Sequence, residues 1–171
     1  MTVRLVQLPA AVLHALAIGD LLAANQAAPV VLTPYFVAPE WRGTWRRRSN
    51  QVAADPTAAS WITRAIVDTD LMLAVGCAGY HGPPDATGMV EVGYAVDPAH
   101  RRKGYARAAL ELLLERARHE PSVRTVRASV RPDNTASLRL VAQYGFLEVG
   151  TQWDEEDGLE TVFEVAVSSP R

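Results

Sequence analysis

The sequence predicts one α/β (α+β) domain over residues 1–171, with a mixed, largely antiparallel sheet of about six or seven strands and helices on both faces. The length suits a single domain with a genuine core. Three apolar segments follow one another with short turns between them, which predicts an antiparallel meander. A strand, a helix and another strand then occupy residues 94–130, and such a crossover makes its two strands parallel.

The N-terminal third contains a predicted strand and two predicted helices. Residues 3–8, VRLVQL, alternate as in a strand. The next segment predicts a helix that Pro9 opens and Gly19 closes. A further helix is predicted from Pro39 to the stop at Asp55-Pro56. The residues on one face of that helix are Trp41, Trp45, Arg48 and Val52.

The remaining segments follow the β-rich middle and the crossover. Predicted strands span 61–68, 71–80 and 88–96. Predicted helices at 103–119 and 135–144 flank a strand at 125–130, and two final strands surround the sequence EEDG.

Composition excludes several classes of protein. The net charge of −2 gives no electrostatic footprint for nucleic acid. The single cysteine, Cys77, excludes an internal disulfide and a cysteine-cluster zinc site. Polar residues interrupt the apolar start of the chain, and no run approaches the ~20 apolar residues of a membrane span. We therefore expect a soluble, cytoplasmic protein without a metal, a nucleic-acid partner or a membrane partner.

The entrance of the helix at 103–119 is unusually cationic. Arg101, Arg102 and Lys103 precede Gly104 there. The first N–H groups of a helix have no partner within the helix and attract anions, above all phosphate, and a glycine allows close approach. An ordinary solvated turn is the alternative. Neither the dinucleotide-binding nor the P-loop glycine spacing occurs.

Three motifs in order resemble the GCN5-related N-acetyltransferases (GNAT). RRKGYA, residues 101–106, matches the R/Q-x-x-G-x-G/A signature of that family; GYAVDP precedes it and NTASLRLVAQYGF follows it. The resemblance covers residue 61 to the C-terminus. The N-x-x-S form at Asn134 and Ser137, with the YGF that closes the helix, is most similar to the branch that contains the ribosomal-protein alanine acetyltransferases.

The resemblance implies an enzyme that passes an acetyl group from acetyl-CoA directly to a primary amine, on a protein N-terminus or a small molecule. It implies a splayed central strand pair, with Asn134 and Ser137 at the cofactor beyond the second strand. The residues implied to hold the pantetheine arm are Tyr94, Ala95 and Val96. The residues implied to hold the pyrophosphate are Arg101, Arg102, Lys103, Gly104, Tyr105 and Ala106.

Acetyl transfer needs an amine freed of its proton and a proton for the departing thiolate. Glu91 is the candidate base because Val90 and Val92 point to the opposite face of its strand; an ion pair with a neighbouring strand is the alternative. Many family members carry a tyrosine as the acid at the position of Val141. Ser137 is the remaining candidate on that helix, against a role in first-turn capping or protonation by water, and Tyr144 is expected to pack.

Other residues favour structural roles. Cys77 is expected in the core and Asp154 to Asp157 at a hairpin turn, with an acidic rim for a cationic acceptor as the alternative. His81 is expected to be an ordinary loop histidine, since the sequence assigns it no carboxylate partner, with the lining of an acceptor pocket as the alternative. Trp41 and Trp45 either pack against the sheet or roof an acceptor site. A non-catalytic acyl-CoA-binding or sensor module is the alternative function; the acceptor amine stays open, as does assembly into a homodimer.

Overall fold

The computed structural model describes residues 2–167. Their strands are β1 (Val3–Val6), β2 (Arg64–Asp68), β3 (Leu73–Tyr80), β4 (Met89–Val96), β5 (Thr125–Val130), β6 (Leu147–Asp154) and β7 (Gly158–Ala166). Their α-helices are α1 (Ala10–Ile18), α2 (Leu21–Ala27), α3 (Arg42–Ala54), α4 (Tyr105–His119) and α5 (Thr135–Gln143).

The strands form one mixed sheet in the order β1-β2-β3-β4-β5-β7-β6. The pairs β1–β2, β2–β3, β5–β7 and β6–β7 are antiparallel, whereas β4 and β5 are parallel. The parallel pair is the one that α4 connects, as a crossover requires. The predicted fold class is confirmed.

The parallel pair is only partly hydrogen-bonded. Its register runs from Met89 with Thr125 to Val92 with Ala128. β4 nevertheless continues to Val96 and β5 to Val130. The register of this pair therefore ends at Val92 and Ala128, before the last residue of either strand.

Helix α2 was not predicted, because the chain signals a helix end immediately before it. Gly19 has φ +78° and closes α1. Asp20 then caps a new helix, with its Oδ1 accepting from the Ala23 N–H at 2.9 Å. The residue that ends α1 and the residue that caps α2 are thus consecutive in the sequence.

The chain divides into two compact units. The first comprises residues 1–79 and 94–110, and its apolar core lies among α1, α2, α3, β2 and β3. Trp45 is fully buried there, stacks on Phe36 and donates its indole N–H to the Phe36 carbonyl at 2.7 Å. Trp45 therefore packs in the core rather than roofing a site.

The second unit comprises residues 80–93 and 111–171. In β5 the alternation predicted for a half-buried strand is visible, since Val126, Ala128 and Val130 are buried. The buried Tyr80 hydroxyl donates to the Leu113 carbonyl at 2.6 Å, which joins the end of β3 to α4. The antiparallel hairpin β6–β7 completes this unit.

Candidate active site

The alternation along β4 separates an apolar face from a face that bears a carboxylate. Val90 and Val92 are buried, whereas Glu91 and Gly93 are half-buried on the other face. Glu91 and Gly93 thus share a face, as the sequence predicts.

A sharply turned segment joins β4 to α4. Arg102 has φ +62° and Gly104 φ +86°, both in the left-handed region. The residues from Arg101 to Gly104 are exposed. The helical bond of Ala108 N–H to the Gly104 carbonyl, 3.0 Å, is the first of the α4 ladder, so the amides before it have no partner within the helix. The entrance of α4 therefore presents backbone donors and cationic side chains together.

Side-chain hydrogen bonds hold this entrance in place. The Tyr105 hydroxyl, at the first residue of α4, donates to Asp68 Oδ2 of β2 at 2.5 Å. That bond lowers the pKa of Asp68 and raises the pKa of Tyr105 to about 12. Arg101 donates from Nε to the Val96 carbonyl at 3.1 Å, so part of its guanidinium fixes the end of β4.

Glu91 accepts a hydrogen bond from a neighbouring strand. The Ser129 hydroxyl of β5 donates to Glu91 Oε1 at 2.6 Å. The cation at the register position beside Glu91 is Arg127, whose Nη2 lies 2.6 Å from Glu164 Oε1 of β7. The hydrogen bond that Glu91 receives from β5 thus comes from a hydroxyl.

His81 gives Glu91 a second contact. His81 Nδ1 lies 3.8 Å from Glu91 Oε2, and the histidine side chain is half exposed. A Cβ at Gly93 would lie 3.0 Å from His81 Nε2, so this glycine leaves room for the ring. The structure therefore supplies the carboxylate partner that the sequence could not assign to His81.

The polar contacts extend beyond Ser129. Gln152 of β6 donates from Nε2 to Ser129 Oγ at 3.0 Å and to Glu160 Oε2 of β7 at 2.9 Å. Burial raises the pKa of Glu160, because a charged carboxylate is disfavoured away from water. Four side chains from four strands are thus joined by hydrogen bonds.

Asn134 and Ser137 form the start of α5. Asn134 Oδ1 accepts from the Ser137 backbone N–H at 3.1 Å, which caps the helix. The cap is therefore made by the asparagine side chain, and the serine contributes its backbone. The N-x-x-S spacing therefore serves to cap the N-terminus of α5.

Val141 and Tyr144 lie at the other end of α5. Val141 is fully buried. The Tyr144 hydroxyl donates to the Glu111 carboxylate of α4. This contact ties α5 to α4, in agreement with the structural role expected for Tyr144.

Residues assigned to structure lie where the sequence predicts them. Cys77 is buried, and burial raises the pKa of its thiol to about 12, which keeps it protonated. Asp154 Oδ1 accepts from the N–H groups of Glu156 and Asp157 at 2.8 and 2.9 Å in the β6–β7 turn.

Within residues 2–167, no group of three or more His, Cys, Asp or Glu side chains could hold a metal ion. None of the helices described is long and apolar enough to cross a membrane.

Comparison with known families decides the relationship. The family model described as "Acetyltransferase (GNAT) domain" matches residues 12–147, most of the chain. The chain belongs to the GNAT acetyltransferase family. Its match to the uncharacterized N-acetyltransferase YjdG of Bacillus subtilis (strain 168) is 38% identical over 88 residues, 52% of this chain and 51% of the relative. This GNAT chain thus spans about half the length of that curated relative.

Solved structures share the fold of this GNAT chain. Ribosomal-protein-S5-alanine acetyltransferase from Vibrio fischeri aligns with a TM-score of 0.62 at 19% identity, over 96% of this chain and 91% of that one. Phosphinothricin acetyltransferase from Sinorhizobium meliloti, solved with AcCoA, gives 0.62 at 18% identity, over 98% and 88%. At these identities the likeness shows the fold alone.

Sequence reasoning missed the partners of Glu91 within the GNAT chain. Ser129 occupies the polar side of the alternating segment TVRASV, a signal that could have placed it on a sheet face. Gln152 and Glu160 are symmetric about the predicted hairpin turn and pair directly in the register. What the sequence could not give is the order of strands that aligns these side chains with Glu91.

Proposed function

We propose that this chain is an N-acetyltransferase that moves an acetyl group from acetyl-CoA directly to a primary amine, on a protein N-terminus or a small molecule. The observation that carries the proposal is the RRKGYA turn, with two left-handed residues at the entrance of α4. The strand before this turn is β4, which ends at Val96 and carries Glu91 five residues earlier. Anion-binding amides and a candidate base therefore belong to one continuous segment.

The turn fits the pyrophosphate of acetyl-CoA in its chemistry. Backbone N–H groups at a helix start attract phosphate, and exposed cations add to the attraction. Each charge-assisted bond contributes ~1.5–3 kcal/mol, against ~0.3–1 for the helix dipole, so the amides dominate the affinity. The residues proposed to hold the pyrophosphate are Arg101, Arg102, Lys103, Gly104, Tyr105 and Ala106.

The pantetheine arm is assigned to the end of β4. The register of β4 with β5 stops at Val92, so Tyr94, Ala95 and Val96 lie beyond it. An amide-rich chain can add to a strand by backbone hydrogen bonds. Asn134 is proposed to contact the arm with its side-chain amide, while its Oδ1 caps α5.

Glu91 is proposed to remove the proton from the acceptor amine. When bound, acetyl-CoA supplies the activated acetyl thioester. Glu91 Oε1 already accepts from Ser129, which leaves Oε2, on the side of His81, as the oxygen for the amine proton. A carboxylate oriented in this way can act as a general base.

Protonation of the thiolate is assigned to Ser137 or to a water molecule. The buried Val141 can supply no proton, and the Tyr144 hydroxyl is engaged with Glu111. With a pKa near the ~8.5 of a free cysteine thiol, the CoA thiolate leaves readily close to neutral pH. A weak acid such as a serine hydroxyl or water is therefore sufficient for this step. The protein is proposed to work in the cytoplasm, alone or as a homodimer, without nucleic acid or membrane.

The buried Val141 also supports the rival function, an acyl-CoA-binding sensor without chemistry. The two functions differ in turnover. Purified protein is incubated with acetyl-CoA and a panel of amines, namely peptide N-termini, amino acids, polyamines and aminoglycosides, and free thiol is measured. Amine-dependent release of CoA is the expected result. Acetyl-CoA binding without release for any amine would replace the enzyme by the sensor.

A further inference from the structure

A row of hydrogen-bonded side chains ends at Glu91 and involves four strands of the second unit. It runs from Glu160 through Gln152 and Ser129 to Glu91, over distances of 2.9, 3.0 and 2.6 Å. The strands that carry these residues are adjacent in the order β4-β5-β7-β6. Glu160 and Gln152 form a direct cross-strand pair. The positions of these four side chains are therefore set by the register of the sheet rather than by a flexible loop.

The direction of each hydrogen bond follows from the chemistry of the groups. An ionised carboxylate can only accept, so Glu160 requires the NH2 side of the Gln152 amide. The other hydrogen of the same nitrogen then points to Ser129 Oγ. A hydroxyl has one hydrogen, and with Gln152 donating to its oxygen, that hydrogen is directed to Glu91 Oε1. Glu160 thereby determines which way the Ser129 hydroxyl points.

Burial makes this arrangement costly unless the partners are satisfied. Glu160 is 9% exposed and Glu91 has a side chain 19% exposed. Burial raises the pKa of Glu160, and the bond from Gln152 opposes that rise. The Gln152 amide thus satisfies the buried Glu160 carboxylate without adding a charge to the cluster.

We propose that a relay of three positioning residues, Ser129, Gln152 and Glu160, fixes the Glu91 carboxylate through Oε1 and so presents Oε2 to the acceptor amine. This inference rests on the proposed acetyl transfer. The charged groups on this side of the sheet include His81, Arg127, Glu164 and Glu160. Asp154 and Asp157, at the β6–β7 turn, also act on Glu160 electrostatically. Arg127 and Glu164 pair with each other at 2.6 Å, whereas His81 and Ser129 contact Glu91 itself.

The test uses three substitutions along the relay. Ser129→Ala removes the donor to Glu91, and Ser129→Thr restores a hydroxyl on a side chain that strands favour. Gln152→Glu keeps the shape but replaces a donor by an acceptor, so the Ser129 hydrogen turns away from Glu91. Gln26→Glu, the same chemical change at an exposed position of α2, is the matched control for added charge.

The measurements are kcat, the KM for acetyl-CoA, the pH–rate profile and the carboxyl 13C resonance of Glu91 at pH 7. We expect Ser129→Ala to lower kcat roughly tenfold at unchanged KM for acetyl-CoA, and Ser129→Thr to recover most of the rate. Gln152→Glu should move the acidic limb of the profile to higher pH, and Gln26→Glu should not. The Glu91 resonance should shift in Ser129→Ala and Gln152→Glu alone.

The outcomes separate this inference from the proposed function. An active wild type whose Ser129→Ala and Gln152→Glu variants keep its rate, profile and Glu91 resonance would overturn the relay and leave acetyl transfer standing. Equal losses in Ser129→Ala and Ser129→Thr, with both folded, would also overturn it. A wild type without turnover would overturn the catalytic role of the relay together with the enzyme, while a Glu91 resonance that responds would still establish the coupling.

Discussion

The entrance of α4 and the cluster around Glu91 are built from different parts of the polypeptide. At the entrance the proposed functional groups are backbone amides, turned by left-handed φ values at Arg102 and Gly104. Around Glu91 they are side chains, each from a different strand. A backbone site is tolerant of its side chains but needs its glycine, whereas a side-chain site fails when one hydrogen-bonding atom changes.

The largest effect on rate is expected at the side-chain site. Glu91→Gln keeps the shape but cannot accept a proton, so kcat should fall by about 10²–10⁴-fold while acetyl-CoA affinity stays nearly constant. Steady-state rates across pH, with calorimetry of acetyl-CoA, check both statements. Glu115→Gln, on an exposed turn of α4, is the control. A Glu91→Gln enzyme with the wild-type rate at every pH would make Glu91 structural.

A smaller effect is expected at the start of α5. Ser137→Ala removes the hydroxyl but keeps the Asn134 cap, because the cap uses the Ser137 backbone. We expect at most a tenfold or so loss of kcat at saturating acetyl-CoA, with unchanged thermal stability. If the melting temperature falls along with the rate, the hydroxyl is needed for folding and the catalytic assignment is lost.

Side chains at the entrance of α4 should affect stability more than chemistry. Tyr105→Phe removes the donor to Asp68 and should lower the melting temperature at pH 7 by on the order of 2–4 °C. The pKa of Asp68 is lowered in the folded protein, so this stabilisation is present above the pKa of the unfolded carboxyl and is lost as the pH falls. The gap between the two melting curves should therefore close in acid. A gap that stays constant with pH would mean that the bond is not charge-assisted.

The smallest effect is expected for Tyr144→Phe. Its hydroxyl contacts Glu111 on the half-exposed side of α5, and the family resemblance implies the acid at the position of the buried Val141 instead. The rate at saturating acetyl-CoA should be nearly unchanged. A large loss of rate, with normal stability and cofactor affinity, would show that the tyrosine role has moved along the helix.

The same contrast explains what the sequence could predict. The entrance of α4 depends on residues that are consecutive in the chain, and RRKGYA shows both the glycine and the charges. The alternation of β4 likewise placed Glu91 on a face without knowledge of other strands. Ser129, Gln152 and Glu160 are separated from Glu91 by 38, 61 and 69 residues, and only the strand order brings them together. Helix α2 was missed although its signals are local, because the glycine that ends α1, Gly19, is followed at once by the residue that caps α2, Asp20.

Calorimetry of acetyl-CoA with Gly104→Val and Gly145→Val tests directly whether the entrance of α4 binds acetyl-CoA through its backbone. Both glycines have positive φ, +86° and +76°, so valine strains the backbone in each, and no described atom lies within 4 Å of a Cβ at Gly145. We predict that both variants melt earlier but that only Gly104→Val loses affinity, by about 10- to 100-fold for the loss of directed amides. A folded Gly104→Val variant that binds acetyl-CoA as tightly as the wild type would show that these backbone amides do not hold the cofactor.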